Sequence, residues 1–275
     1  MRLDFSKKTL LCSILFTSTF LSCNGQNKPS GSDNIAEKKV LVKVVGPSSD
    51  ISADYLMGKF DPSKHPDFVE IPKEYADRPG QFIRLEVLGA FIKMYNAAML
   101  EGVRLQIRSA TRNFNDQKRI WENKWTGKTI LEDNINAAKD ISDDLTRSKK
   151  ILEYSSMPGT SRHHWGTDMD FNSFSNEWFE KGEGYKLYSW MLYNAAKYGF
   201  CQPYTKMGSD RTSGYFEEKW HWTYMPLSKK YTQSAKTIIK NEMISGFLGS
   251  ETAIIVDMLN NYILGISPSC LQSQN

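Results

Sequence analysis

The apolar positions of this chain repeat with two different periods. Leu85, Leu88, Phe91, Ile92, Tyr95, Ala98 and Met99 recur at helical spacing and Gly102 follows as a stop, so a helix is predicted over residues 82–100. Residues 103–107 alternate instead. Val103, Leu105 and Ile107 face one way, Arg104 and Gln106 the other, as in a half-buried strand. Residues 113–124 read as a helix, and residues 130–152 as a charged, helix-prone peripheral insertion without a strong core stripe. A short strand is expected at 167–171. A helix at 185–198 should be closed by Gly199, in the position where helices commonly turn left-handed. A strand is expected near 200–203 and another at 219–225, where aromatic and polar residues alternate, before helical patterning returns over 228–266. Helices and short antiparallel strands in segregated runs give an α+β domain, a small antiparallel sheet flanked by helices.

The N-terminus has a different pattern. Arg2, Lys7 and Lys8 precede an uncharged apolar and hydroxylic run over 9–21, which matches the charged and apolar regions of a secretory signal. The run is too short to span a bilayer comfortably, since a membrane helix needs about 20 apolar residues. It ends in Phe20-Leu21-Ser22-Cys23, which resembles a bacterial lipobox. That resemblance implies cleavage before Cys23 and lipidation of its thiol, with the acyl chains holding the protein to a membrane surface. The alternative is a plain secretory signal with an incidental cysteine. Residues 24–38, rich in Ser, Asn, Gly and Lys, read as a flexible tether. Residues 39–45 are β-prone, and Pro62, Pro66, Pro72 and Pro79 make residues 50–80 mostly loop. The expected organisation is a lipoprotein signal at 1–22, a lipidated cysteine and tether at 23–38, an N-terminal extension at 39–80, a main domain at 81–227 and a helical extension at 228–275.

Composition narrows the function classes. With 275 residues, 40% hydrophobic and 24% charged, the chain can build a core without staples. A net charge of +4 and the lack of a basic block give no reason to invoke nucleic acid. Of four cysteines, Cys12 falls in the signal and Cys23 is assigned to lipid. Cys201 and Cys270 remain, as one disulfide or as two buried thiols.

Three of the four histidines, His163, His164 and His221, lie beside acidic or aromatic clusters; His65 reads as a loop residue. In the run from Ser161 to Asp170, a bend at Gly166 can bring His163 back towards the following strand, and imidazole and carboxylate both suit Zn²⁺. Alone this run is equally a solvated polar turn. In Glu217-Glu218-Lys219-Trp220-His221-Trp222-Thr223-Tyr224, a strand puts His221 and Thr223 on one face and the aromatic residues on the other, in the core. Glu218, just before the strand, is a candidate general base for a metal-activated water.

Together the two runs resemble the zinc D-alanyl-D-alanine carboxypeptidases and dipeptidases, including those of vancomycin resistance. Their superfamily also holds lysostaphin-type peptidases and the hedgehog signalling domain. The family pattern Ser-x-His-x6-Asp stands here as Ser161, His163 and Asp170, and Glu-x-Trp-His as Glu218, Trp220 and His221. Ser109 to Gln117, with Arg112, and the helix end Ala195 to Phe200 are also similar, so the resemblance covers about 82–224. It implies the hedgehog/D-Ala-D-Ala peptidase-like fold, with one Zn²⁺ held by His163, Asp170 and His221. Glu218 would be the base, Arg112 would stabilise the oxyanion, and Ser161 would contact substrate. The implied substrate is a peptidoglycan stem peptide in the cell envelope, at its periplasmic or outer surface. Within the family the run from Glu218 to Tyr224 looks more like the carboxypeptidase branch than the dipeptidase branch; endopeptidase action stays open. A non-catalytic zinc-stabilised binding module would be expected to lack the base or the arginine, and both are present. One departure is Asp168, where the family usually has Ala. On a strand it points to the same side as Asp170, and it could recognise a substrate amine, support a ligand or compete for the metal. His164 faces away from its neighbour and reads as a rim or structural residue.

Overall fold

The apolar stripes of two helices close over one face of a small sheet. The structure, a computed structural model, describes residues 51–272. The signal, Cys23, the tether and the β-prone run at 39–45 lie outside the described residues. In chain order the elements are α1 (Ala53–Leu56), β1 (Phe68–Glu70), β2 (Phe82–Arg84), α2 (Leu85–Leu100), β3 (Ile107–Ser109), α3 (Phe114–Trp125), α4 (Ala137–Asp140) and α5 (Asp144–Ile151). There follow β4 (Asp168–Phe171), α6 (Gly182–Asn194), β5 (Phe200–Cys201), β6 (His221–Tyr224), α7 (Met225–Ile238) and α8 (Thr252–Ile255). Strands β3, β4, β6 and β5 form an antiparallel sheet in that order, while β1 and β2 form a separate hairpin. The architecture is α+β, as expected.

Val87, Leu88, Phe91, Met94 and Ala98 of α2, with Leu187, Trp190 and Met191 of α6, pack on Ile107, Met169, Phe171, Phe200 and Trp222 of the sheet. Area burial of this kind is the main favourable term of the fold, about 25 cal/mol per Å² of apolar surface. A second cluster joins Trp121 and Trp125 of α3 to Leu131, Ala137, Ile151 and Leu152 of the insertion and to Phe247, Val256 and Met258 of the C-terminal tail. A third joins Leu56 and Met57 to Trp165 and to Tyr231 and Ala235 of α7. The N-terminal extension is therefore packed into the domain from residue 51 onward. Arg84 ties it further, pairing with Asp67 at 3.2 Å and donating to the Tyr55 hydroxyl at 3.0 Å.

Several elements differ from expectation for identifiable reasons. The helix predicted from residue 82 begins at Leu85, because Phe82–Arg84 pairs with Phe68–Glu70 as a strand. The strand expected over 103–107 is confined to Ile107–Ser109. Its alternation is real, since Val103, Leu105 and Ile107 are all buried. However, β4 ends at Phe171, and Asn172, with φ of 56°, turns the chain away. The Asn172 side chain then does the work of a partner strand, accepting from the Gln106 N–H at 2.9 Å and donating to the Arg104 carbonyl at 3.0 Å. The helical run expected over 228–266 stops at Ile238 and continues as short turns and α8. The tail bends where Gly249 lies flat on Trp125; a Cβ there would sit 2.2 Å from the ring. The insertion is not merely peripheral, since four of its residues enter the second core cluster.

Candidate metal centre and active site

Strands β4 and β6 build the floor of the site. Their register sets Asp170 opposite His221 and Asp168 opposite Thr223, with all four side chains on one face. Just before β4 the chain makes a tight turn over Arg162–Trp165 and leaves it at Gly166 with φ 70°. Only glycine fits there, because a Cβ would meet the Phe68 ring at 2.3 Å. This turn swings His163 over the sheet, its ring 4.7 Å from that of His221. His163 Nδ1 lies 2.7 Å from the Ala110 carbonyl, which can only accept, so Nδ1 carries the proton and Nε2 presents a lone pair.

Nε2 of His163, a carboxylate oxygen of Asp170 and a ring nitrogen of His221 lie within 4.8 Å of one another, all buried. His163 Nε2 and Asp170 Oδ1 have no hydrogen-bond partner, a costly state for buried polar atoms. Two imidazoles and a carboxylate are a ligand set that suits a catalytic zinc. The orphaned atoms, the donor types and the convergence all fit a divalent cation. Burial pushes the His163 pKa down. Burial also disfavours charge on His221, but the hydrogen bond to Asp168 and the nearby carboxylates of Asp170 and Glu218 outweigh it and raise its pKa well above the usual value. Carboxylates thus gather a positive charge at this point: a proton without metal, a cation with it.

Glu218 enters from the loop before β6. Its backbone N–H donates to the Tyr204 carbonyl at 2.9 Å, and its carboxylate lies 3.2 Å from His221 Nδ1. Burial raises its pKa, partly offset by His221. Arg112, the residue just before the Asn113 N-cap of α3, lines the same cleft as Glu218. Its Nη1 donates to Ser109 Oγ at 2.8 Å and lies 3.5 Å from Asp170, and its side chain is 22% exposed to the cleft. The cleft above has a volume of about 780 Å³. Gln117 and Lys124 of α3 line one part, Glu132, Lys150 and Glu153 of the insertion another, and Tyr204, Phe216 and Trp220 the rest. The insertion therefore walls the groove. Among the described residues, none after His221 lines it, so the tail supports α3 from behind.

The structure brings together His163, Asp170, His221, Glu218 and Arg112 and leaves two candidates aside. Asp168, with substrate recognition, ligand support and metal competition all open from the sequence, is 0% exposed and lies behind His221, bonded to His221, Arg162, Thr167 and Thr223, which matches ligand support and not a substrate contact. Ser161, expected at the substrate, is also 0% exposed and outside the cleft lining, with its Oγ unpartnered. His164 is structural: Nδ1 donates to the Arg112 carbonyl at 2.6 Å and Nε2 accepts from the Gly159 N–H at 3.1 Å. His65 packs in an aromatic group with Tyr55, Phe60 and Phe68.

The sequence profile of the VanY D-alanyl-D-alanine carboxypeptidase family matches residues 80–227, more than half of the chain and the whole of the site. The chain belongs to this family. It is 33% identical over 166 residues to the putative carboxypeptidase YodJ of Bacillus subtilis (strain 168), covering 59% of this chain and 52% of that one. The chain thus spans about half the length of this curated relative. Among solved structures it is similar to the LdcB LD-carboxypeptidase, with TM-score 0.46 and 23% identity over 75% of this chain and 78% of the other. It is also similar to VanYB in complex with D-alanine-D-alanine, with TM-score 0.43 and 21% identity over 61% and 83%.

Sequence reasoning passed over two residues that this VanY-family site uses. Tyr204 packs edge-on against His221 at 4.7 Å and lines the cleft, yet it sits in an irregular loop with no periodicity to mark it. Arg162 is buried beneath the ligands, and only its place between Ser161 and His163 hinted at a role.

Proposed function

We propose that this chain is a zinc-dependent peptidase of the cell envelope that hydrolyses peptidoglycan stem peptides, acting as a D-alanyl-D-alanine carboxypeptidase. The observation that carries the reading is the convergence of His163, Asp170 and His221 within 4.8 Å at the base of an open cleft, with Glu218 beside them. One zinc held by these three ligands supplies Lewis-acid polarisation of a carbonyl and lowers the pKa of water to about 7. Glu218, whose hold on a proton is strengthened by burial, takes the proton of the attacking water and delivers it to the leaving amine. Arg112 aims its guanidinium at the carbonyl oxygen as charge develops there. Ser109 and the Asp170 carboxylate hold that guanidinium in place. Arg112 and Lys124 place two cationic groups on the α3 side of a cleft otherwise rich in carboxylates, which supports binding of a substrate carboxylate at that side. Lipidation at Cys23 would hold the enzyme at the membrane, beside its substrate.

The test uses soluble protein beginning at residue 24, loaded with zinc and incubated with a pentapeptide ending in D-Ala-D-Ala. Products are followed by mass spectrometry, with Glu218→Ala in parallel and metal content measured for both. Release of a single D-Ala by wild type alone, with zinc retained in both, supports the reading. Release of the D-Ala-D-Ala dipeptide moves it to another branch of the family. Zinc binding without cleavage of this peptide or of cross-linked peptidoglycan leaves a binding module.

A further inference from the structure

The buried face of His221 carries an unassigned arrangement. The imidazole has two edges, and the structure uses them differently. Nδ1 faces Asp170 at 3.2 Å and Glu218 at 3.2 Å, on the cleft side. Nε2 points the other way and donates to Asp168 Oδ1 at 2.9 Å. Asp168 Oδ1 also accepts from Arg162 Nε at 3.1 Å. Its Oδ2 accepts from Thr167 Oγ1 at 2.5 Å and Thr223 Oγ1 at 2.9 Å. Four donors therefore occupy the acceptor positions of this carboxylate, which leaves it none for a metal or a substrate amine. Arg162 is just as fully engaged. Its Nη2 donates to Thr223 Oγ1 at 3.1 Å and its Nη1 to Thr232 Oγ1 at 2.9 Å, and its guanidinium lies over the Trp165 ring at 4.6 Å. Thr232 passes the chain of bonds on to the Ser228 carbonyl within α7.

We infer that Asp168, fixed by Arg162, is a positioning residue that sets His221 to bind the metal through Nδ1 and makes that nitrogen the stronger donor. The inference rests on the metal reading given above and adds a carboxylate–histidine–metal relay that the usual alanine at this position cannot supply. A carboxylate hydrogen-bonded to the far nitrogen of a ligand histidine fixes both tautomer and ring orientation, and losing such a partner typically weakens metal binding about 10–100-fold. Arg162 balances the buried charge, and the two threonines stop the carboxylate from rotating. Tyr204 and His163 pack against the same ring, each with its centroid 4.7 Å away, so the imidazole is held by contacts as well as by the hydrogen bond.

Two measurements on the full-length protein decide it. In the zinc-loaded wild type, histidine side-chain ¹⁵N–¹H NMR should find His221 protonated at Nε2, with a persistent, slowly exchanging proton. Protonation at Nδ1 instead overturns the proposal without any variant. Chelator competition should then give Asp168→Ala a zinc affinity about 10–100-fold weaker than wild type. The double variant Asp168→Ala/Arg162→Met, which buries no unpaired charge, should show the same loss. An affinity within threefold of wild type in whichever of these variants is folded overturns the proposal, because a merely structural ion pair would lower thermal stability and leave zinc affinity alone. Failure of the wild type itself to bind zinc would instead remove the metal reading, and this inference with it.

Discussion

His163 Nε2 and Asp170 Oδ2 face each other at 3.3 Å with no proton between them. The ring proton of His163 is committed to the Ala110 carbonyl at Nδ1, and burial disfavours a second one. Two sets of lone pairs therefore meet in a buried space, an arrangement that a cation between them relieves. Zinc should raise the melting temperature of the wild type, since a ligand at about 1,000 times its Kd stabilises by about 4 kcal/mol. His163→Ala should abolish that rise. Differential scanning fluorimetry with and without zinc checks it, and an equal rise in both proteins would place the metal elsewhere.

Arg112 should matter for turnover more than for metal. Its guanidinium is held at one end by Ser109 and leaves the other end open to the cleft. Arg112→Lys keeps the charge but loses the planar fork. The expected result is a fall in kcat of about 10²–10³, the usual cost of removing an oxyanion donor, with zinc affinity nearly unchanged. A change in KM alone would assign Arg112 to substrate binding.

His164 gives stability a defined dependence on pH. Burial pushes its pKa down from 6.5 to about 3, and its two partners, a carbonyl and an N–H, fix it as the neutral ring. Below pH 6.5 the unfolded chain takes a proton here that the folded protein refuses. Its contribution is therefore complete above 6.5 and is lost as pH falls towards 3, by roughly 1 kcal/mol per pH unit. Urea denaturation at pH 7.5 and pH 5 should show a larger loss in wild type than in His164→Asn. Equal losses would show that this ring does not set the dependence.

Cys201 and Cys270 form a disulfide, with their Cα atoms 5.7 Å apart, and close a loop of 69 residues. Replacing both with Ala should cost about 2–4 kcal/mol, mostly through the larger freedom of the unfolded chain. The pair also anchors the segment that carries Tyr204 against His221, so kcat should fall together with stability. Chemical denaturation and turnover of the double variant, compared with wild type in reductant, test both parts.

The elements with strong periodicity were legible in the sequence, and so were the metal-facing residues. α2, α3 and α6 follow their apolar stripes, and the spacing of His163, Asp170 and His221 transferred directly into one cluster, with Glu218 beside it. What was not legible depended on partners distant in the chain. Asp168 shares a face with Asp170 in the sequence, but the choice between ligand support, substrate contact and metal competition waits until Arg162 and Thr223 are seen around it. The lost strand at 103–106 depends on the side chain of Asn172, more than sixty residues away, and no local pattern encodes that exchange. Ser161 matched a motif, yet its buried Oγ shows that motif membership does not fix exposure.

The contacts of the C-terminal tail bear on how this chain can be cut down for crystallisation or engineering. The stretch recognisable as the family ends at residue 227. Beyond it lie Thr232, which meets the buried Arg162, the Leu248 carbonyl that accepts from the Trp121 indole at 2.8 Å, and Cys270. A fragment trimmed to the recognisable stretch would leave one arm of a buried guanidinium, an indole N–H and a half-cystine without partners in its interior. The unit that inheritance makes visible is smaller than the unit that can stand alone, and a workable fragment runs at least through Cys270.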